Sequence, residues 1–82
     1  MRHMILRESP LGLRHYLGGR LVNGGDVIEI CFSGGWVVGR YERTKDPARP
    51  LFHCSIELCE GRGVAACVIE IPDGAMVRWP RS

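Results

Sequence analysis

The stretch VIEICFSGGWVVGRYE, residues 27–42, decides the fold, because it carries two strand-like runs around a short turn. Residues 27–32 are dominated by β-branched and aromatic types, which favour a strand. Ser33 and two glycines supply a turn, and residues 36–43 form the returning run. The stretch therefore predicts a β-hairpin, and Gly39 within the second run predicts a bend or bulge of the kind found at barrel corners.

Similar short runs flank this hairpin on both sides. Two of them surround the turn residues Gly18 and Gly19, and the complete set outside the hairpin is 13–17, 20–22, 51–58, 64–71 and 75–79. No helical pattern of ten residues or more interrupts these runs, and we expect five or six of them to form the short strands of an antiparallel all-β domain. Since closure protects the edges of a small sheet, we expect an SH3-like barrel or a strongly curled sheet.

Length and composition limit the class of protein. A chain of 82 residues is long enough for one small domain, which we expect to span residues 13–80 after a partly flexible segment of residues 1–12. The hydrophobic content of 45% is normal for a globular domain, and a net charge of +2 does not by itself indicate a nucleic-acid partner. No apolar run predicts a membrane span or a secretory signal, so the cytoplasm is the expected location.

The middle of the chain resembles small uncharacterised bacterial domains of mobile genetic elements. The residues that carry the resemblance are GDVIEI at 25–30, Gly35 with Trp36, GRYE at 39–42, and VRW at 77–79. The layout is also similar to that of SH3-like barrels, and the resemblance covers roughly residues 13–80. It implies a fold, and it suggests an accessory or inhibitory factor carried by a phage or other mobile element. It transfers no catalytic or binding residue, because one fold serves many functions.

The cysteines predict reduced, buried thiols within strands, where they act as small hydrophobic residues. The four are Cys31, Cys54, Cys59 and Cys67, and no Cys-x-x-Cys pair occurs among them. His53 and Cys54 are neighbours on a strand, so their side chains point to opposite faces and do not easily share one metal. A zinc site built on Cys54, Cys59 and Cys67 and a pair of disulfides remain alternatives, and no cofactor is predicted.

The remaining polar residues do not form a recognisable catalytic set. The glutamates stand singly within strand patterns, and the three histidines lack a nucleophile elbow, which needs a helix after the strand. The glycine pairs are followed by strands, so they predict turns and not phosphate-binding loops. We therefore expect a protein that is not an enzyme.

Aromatic and basic residues near the predicted strand ends and in one polar loop are the candidate binding residues. The loop, residues 44–50, lies between two strands and carries Lys45 and Arg49. The complete candidate set is Trp36, Arg40, Tyr41, Lys45, Arg49, Arg78 and Trp79. For the tryptophans the alternative is a place in the core, and for the loop it is a solvated connector.

These residues predict a non-catalytic protein-interaction module whose partner is another protein. The alternative is a small nucleic-acid-binding β-barrel. In that protein, Trp36 or Tyr41 would stack on the bases. The phosphate backbone of the nucleic acid would be bound by Arg20, Arg40, Arg43, Arg62 and Arg78. Salt dependence separates the two hypotheses, because phosphate contacts weaken steeply as salt rises.

Overall fold

The computed structural model describes residues 3–57 and 63–81, and these residues form an all-β structure without a helix. The predicted all-β class is therefore confirmed, although the described residues form eight strands, not five or six, and two of these contain only two residues. All strand pairs are antiparallel, and the strands divide into two sheets.

The first sheet has three strands in the order β1-β2-β3. Its strands are β1 (Met4–Ser9), β2 (Gly12–Leu17) and β3 (Arg20–Leu21). Gly18 and Gly19 form the predicted two-residue turn between β2 and β3, with φ angles of 61° and 80°. A turn with positive φ at both central positions matches the twist of the flanking strands, which explains the choice of two glycines.

The second sheet has five strands in the order β7-β6-β5-β4-β8. They are β4 (Val27–Phe32), β5 (Gly35–Glu42), β6 (Leu51–Glu57), β7 (Val64–Glu70) and β8 (Val77–Arg78). The predicted hairpin of residues 27–42 forms β4 and β5, joined by Ser33 and Gly34 with φ angles of 50° and 82°. The loop of residues 44–50 joins β5 to β6, as expected.

The core lies where the inner face of the second sheet meets the first sheet. Phe52 is its largest fully buried side chain. Two hydrogen bonds join the sheets across it, one between Tyr41 and His15 Nδ1 (3.0 Å) and one donated by Trp79 Nε1–H to the Leu17 carbonyl (2.9 Å). The buried apolar residues are Leu17, Val22, Ile28, Ile30, Tyr41, Phe52, Ile71 and Val77.

Two features differ from the sequence expectations. No closed barrel forms within the described ranges, because β7 and β8 end the second sheet without pairing to each other. Strand β1 lies within the segment of residues 1–12 and pairs with β2 from Met4 to Ser9. Gly39 lies in a continuous ladder opposite Ile28 and Cys54, so it marks a close approach of side chains and not a bulge.

Candidate functional site

Among the described residues, no strand pairs with the outer edge of β7, which therefore presents a row of backbone groups. Backbone N–H and C=O groups point alternately to the two sides of a strand. The N–H of Ile71 donates to the carbonyl of Pro50 (3.1 Å), so the odd-numbered residues of β7 face β6. The N–H of Tyr41 donates to the backbone carbonyl of Asp26 (2.9 Å), so the odd-numbered residues of β5 face β4 and the even-numbered ones face β6. The residue pairs of β5 with β6 and of β6 with β7 continue this alternation, and it again turns the odd-numbered residues of β7 towards β6. The groups that point outward therefore belong to Val64, Ala66, Val68 and Glu70.

The side chains of β7 are apolar over six consecutive residues. Val64 is 67% exposed and Val68 is 50% exposed on the outer face of the sheet, with exposed Ala66 between them. Ala65, Cys67 and Ile69 alternate with these residues and lie half-buried on the inner face. The first charge in the strand is that of Glu70, at its end. This combination of an open edge and an uncharged strand favours pairing with a further strand.

The other sheet edges in the described part of the chain are protected. Strands β3 and β8 contain two residues each, and Pro80 follows closely after β8. Strand β1 is longer, but it carries Arg7 and Glu8. Short strands, prolines and charges are the usual means of preventing unwanted strand pairing. Among the described edges, β7 is thus distinguished by both its length and its lack of charge.

Trp36 and Arg78, two of the candidate residues, meet on the outer face of the second sheet. The Arg78 guanidinium lies 4.0 Å from the centroid of the Trp36 ring, and its Nε donates to Glu29 Oε1 (2.5 Å). Both members of the ion pair are largely buried, which strengthens the contact relative to an exposed pair. The arrangement fixes β8 to β4 and covers one face of the indole.

Trp79 lies on the opposite side of the chain from Arg78 and packs against the core. Arg20 stacks over its ring at 4.2 Å, so this indole also carries a guanidinium on one face. The two tryptophans therefore lie on opposite faces of the second sheet and do not form one common surface. Trp79 has a structural role, since its Nε1–H holds the end of β8 to β2.

The remaining candidate residues are dispersed. Arg40 is exposed on the outer face and donates to the Gly25 carbonyl (3.3 Å), beside a shallow depression of about 460 Å³ over the middle of the sheet. Lys45 and Arg49 are exposed in the loop, where Arg49 lies near Asp46 (3.6 Å) and Glu70 (3.9 Å). The ion pair with Glu70 places the loop beside the end of β7.

Tyr41 lies in the core, where it is 3% exposed, so its ring is not available for stacking on a ligand. Its hydroxyl bonds His15, which is 8% exposed, and the rings meet edge to face at 6.0 Å. Burial raises the pKa of Tyr41 and lowers the pKa of His15, against a smaller opposing effect of Asp73 on the histidine. The pair is a neutral hydrogen bond between the sheets.

Because the pKa of His15 is lowered by folding, we expect acid to destabilise the protein through this residue. The stabilising contribution is present above the ordinary histidine pKa of 6.5 and decreases as the pH falls below that value. His15→Gln keeps a hydrogen-bonding group near Tyr41 but does not titrate. Urea unfolding at about pH 7.5 and about pH 5.5 should show a smaller loss of stability for the variant than for the wild type. An equal loss in both proteins would assign the pH dependence to other groups.

Two of the described cysteines lie next to each other on neighbouring strands. Cys54 and Cys67 lie directly opposite each other on β6 and β7, and both are half-buried. Burial, with a smaller contribution from Cys67, raises the pKa of the Cys54 thiol. Cys31 lies apart, opposite Trp36, and Cys59 and Arg62 fall outside the described residues. Within residues 3–57 and 63–81, no three His, Cys, Asp or Glu side chains are grouped to hold a metal ion.

Comparison with known proteins gives no relative on which to base a function. No protein-family model matches the chain, and neither a curated protein nor a solved structure shows significant similarity to it. The described residues contain no helix of the length and apolarity needed to cross a membrane. A functional proposal therefore has to rest on the geometry of the surface.

Proposed function

We propose that this protein is a non-catalytic protein-interaction module that binds its partner by adding a strand to β7. The observation that carries the proposal is the outward row of backbone groups on a long edge strand without charge over residues 64–69. Main-chain hydrogen bonds would supply affinity, and Val64, Ala66 and Val68 would supply an apolar contact on one face. The loop with Lys45 and Arg49 flanks the end of this edge through the Arg49–Glu70 ion pair.

A protein partner fits these observations better than a nucleic acid. Tyr41 is buried, and a guanidinium already covers one face of each tryptophan. Arg78 is also committed to Glu29, which reduces its value as a contact for phosphate. Tyr41, Trp36, Trp79, Arg20 and Arg78 are thus already engaged in contacts within the fold.

The proposal includes the role suggested by the sequence resemblance, namely an accessory or inhibitory factor of a mobile element. An SH3-like relationship remains part of the same proposal, since five antiparallel strands with short connections are compatible with an open form of such a sheet. Strand addition at β7 does not depend on either point. It needs only an edge that stays open in the isolated chain.

A charge placed on the β7 edge should abolish partner binding. Val68→Lys introduces the kind of residue that protects natural edge strands, and its exposed position should leave folding intact. Val38→Lys is the matched control, because Val38 is 52% exposed on the same face but lies on an internal strand. With immobilised protein and bacterial lysate, wild type and Val38→Lys should retain the same partner, and Val68→Lys should lose it.

Two results would contradict this function. One is retention of the partner by Val68→Lys at the wild-type level. The other is tight binding of oligo(dT) by the wild type that falls steeply with added salt, which would support the nucleic-acid alternative. Far-ultraviolet circular dichroism of both lysine variants should remain that of the wild type, which shows that a loss of binding is not a loss of fold.

A further inference from the structure

We propose that the strand added to β7 is β7 of a second copy of this chain, running antiparallel about a twofold axis at Cys67. The inference rests on the proposed function, because it names the partner of the same edge. Isologous contacts of this kind are the commonest route to a dimer, and they require a surface that complements itself. The second sheets of the two copies would join into one continuous sheet of ten strands.

The direction of the backbone groups selects the register. The outward groups lie on even-numbered residues, so hydrogen-bonded pairs between two copies must join even residues to even residues. Placing Cys67 opposite the Cys67 of the second copy pairs Val64 with Glu70 and Ala66 with Val68, in both directions. All the outward groups of the strand are then used.

Other registers use the edge less well. The smallest shift that keeps even residues opposite even residues is two residues. In one direction this shift brings Val64 opposite Pro72, which has no N–H to donate. The same shift in the other direction carries Glu70 beyond the N-terminal end of β7 of the second copy. A register of odd parity would place each outward-pointing residue opposite a residue whose own N–H and C=O groups point back towards β6, so the hydrogen bonds could not form. The register centred on Cys67 is therefore the one that fits the strand as a whole.

The side chains of β7 complement each other in this register. On the outer face each Val68 lies opposite an Ala66, and on the inner face each Ile69 lies opposite an Ala65, so large residues meet small ones. The two Glu70 carboxylates lie at opposite ends of the pairing, about 20 Å apart along the strand, where they repel each other little. A net charge of +2 for each chain also opposes association only weakly.

Crosslinking through Cys67 tests the register. In a variant with Cys31→Ser, Cys54→Ser and Cys59→Ser, Cys67 is the remaining cysteine. The proposed register makes its pair with the second copy a non-hydrogen-bonded one, with Cα atoms about 4.5 Å apart, which a disulfide can bridge. Diamide should then convert the protein to a covalent dimer. Each pair of thiols gives up two protons and two electrons to diamide, which becomes the hydrazine.

A matched control places the cysteine two residues away on the same face. Ala65→Cys combined with Cys67→Ser, in the same background, moves the two thiols about 14 Å apart along the strands. This control should remain uncrosslinked under the same conditions. Equal crosslinking at positions 65 and 67 would contradict the register, since it would indicate random collision.

The mass of the unmodified chain separates the inference from the proposed function. Light scattering after gel filtration should give a mass that rises with concentration from 9.2 kDa towards roughly twice that value. Val38→Lys should behave in the same way, whereas Val68→Lys should weaken association roughly tenfold or more. A wild type that stays monomeric overturns the inference. If the wild type stays monomeric but captures a protein from lysate that Val68→Lys does not capture, the proposed function stands and another protein occupies the edge. If Val68→Lys also keeps the captured protein, the inference and the proposed function are both contradicted.

Discussion

Replacing Gly39 with alanine should destabilise the protein by about 3 kcal/mol, at the upper end of the cost of overpacking a core. A Cβ atom at this position would lie 2.5 Å from the His53 carbonyl oxygen and 2.5 Å from Cζ of Phe52. The oxygen belongs to the backbone of the neighbouring strand, so it cannot move without disturbing the β5–β6 ladder. The ring is fully buried, so moving it would displace neighbouring side chains of a close-packed core.

Thermal unfolding measures this effect, because 3 kcal/mol lowers the Tm of a domain of this size by roughly 12–24 °C. Gly35→Ala is the matched control on the same strand. There an added Cβ would meet only the Phe32 carbonyl oxygen at 3.7 Å, which is an ordinary contact. The control should unfold within a few degrees of the wild type. Equal Tm values for Gly39→Ala and the wild type would show that the Phe52 ring does not occupy the space above Gly39.

The local elements could be predicted from the sequence because their signals are local. Residues 27–32 carry the residue types of a strand, and the turns at Gly18 and Gly34 need φ angles that glycine adopts without strain. The strand bounds of β4 agree with the prediction at both ends, and the start of β6 agrees as well. Neighbouring residues alone determine these features.

Two features could not be predicted from local sequence: whether the sheet closes, and why residue 39 is a glycine. Whether β7 meets β8 depends on the curvature that five strands accumulate, which no short stretch encodes. The sequence predicts a bend or bulge at Gly39, because a glycine within a strand can have several structural roles. Its actual partner, the ring of Phe52, lies on the next strand and becomes visible only when the register is known.

The candidate site, like the fold, could be predicted from the sequence only in part. Sequence reasoning selected aromatic and basic residues, and the structure assigns most of them to interactions that hold the fold, such as Arg78 with Trp36 and Glu29. It identified residues 64–71 as one of the strand-like runs, but the position of this strand at the end of a sheet is not encoded in the run itself. A run of six residues without charge, proline or glycine was the available signal.

Hydrogen exchange along β7 should change with protein concentration at alternate residues. In dilute solution the amides of Ala65, Cys67 and Ile69 are protected by β6, whereas those of Ala66 and Val68 point to solvent. Association of two copies would bury the second group in new hydrogen bonds. At a chain concentration about 100 times the Kd, about 7% of the chains remain monomeric, so the exchange of these amides should slow by roughly 15-fold.

The alternation makes this effect specific to strand pairing. A partner that covered the apolar side chains of β7 without adding a strand would exclude water from both groups of amides to a similar degree. Global stabilisation would also slow the amides that β6 already protects. Protection confined to the even-numbered residues is produced by hydrogen bonds at the open edge, because only these residues direct their N–H groups there.

The most direct test is therefore amide exchange measured by nuclear magnetic resonance on the wild-type chain at low and high concentration, with Val68→Lys beside it. Pairing of β7 with a second copy predicts that Ala66, Val68 and Glu70 gain protection at high concentration in the wild type. The Val68→Lys variant should show no such gain at Ala66 and Glu70. Exchange at these residues that stays fast at every concentration, while the chain associates, would contradict the assignment of the interface to the edge of β7.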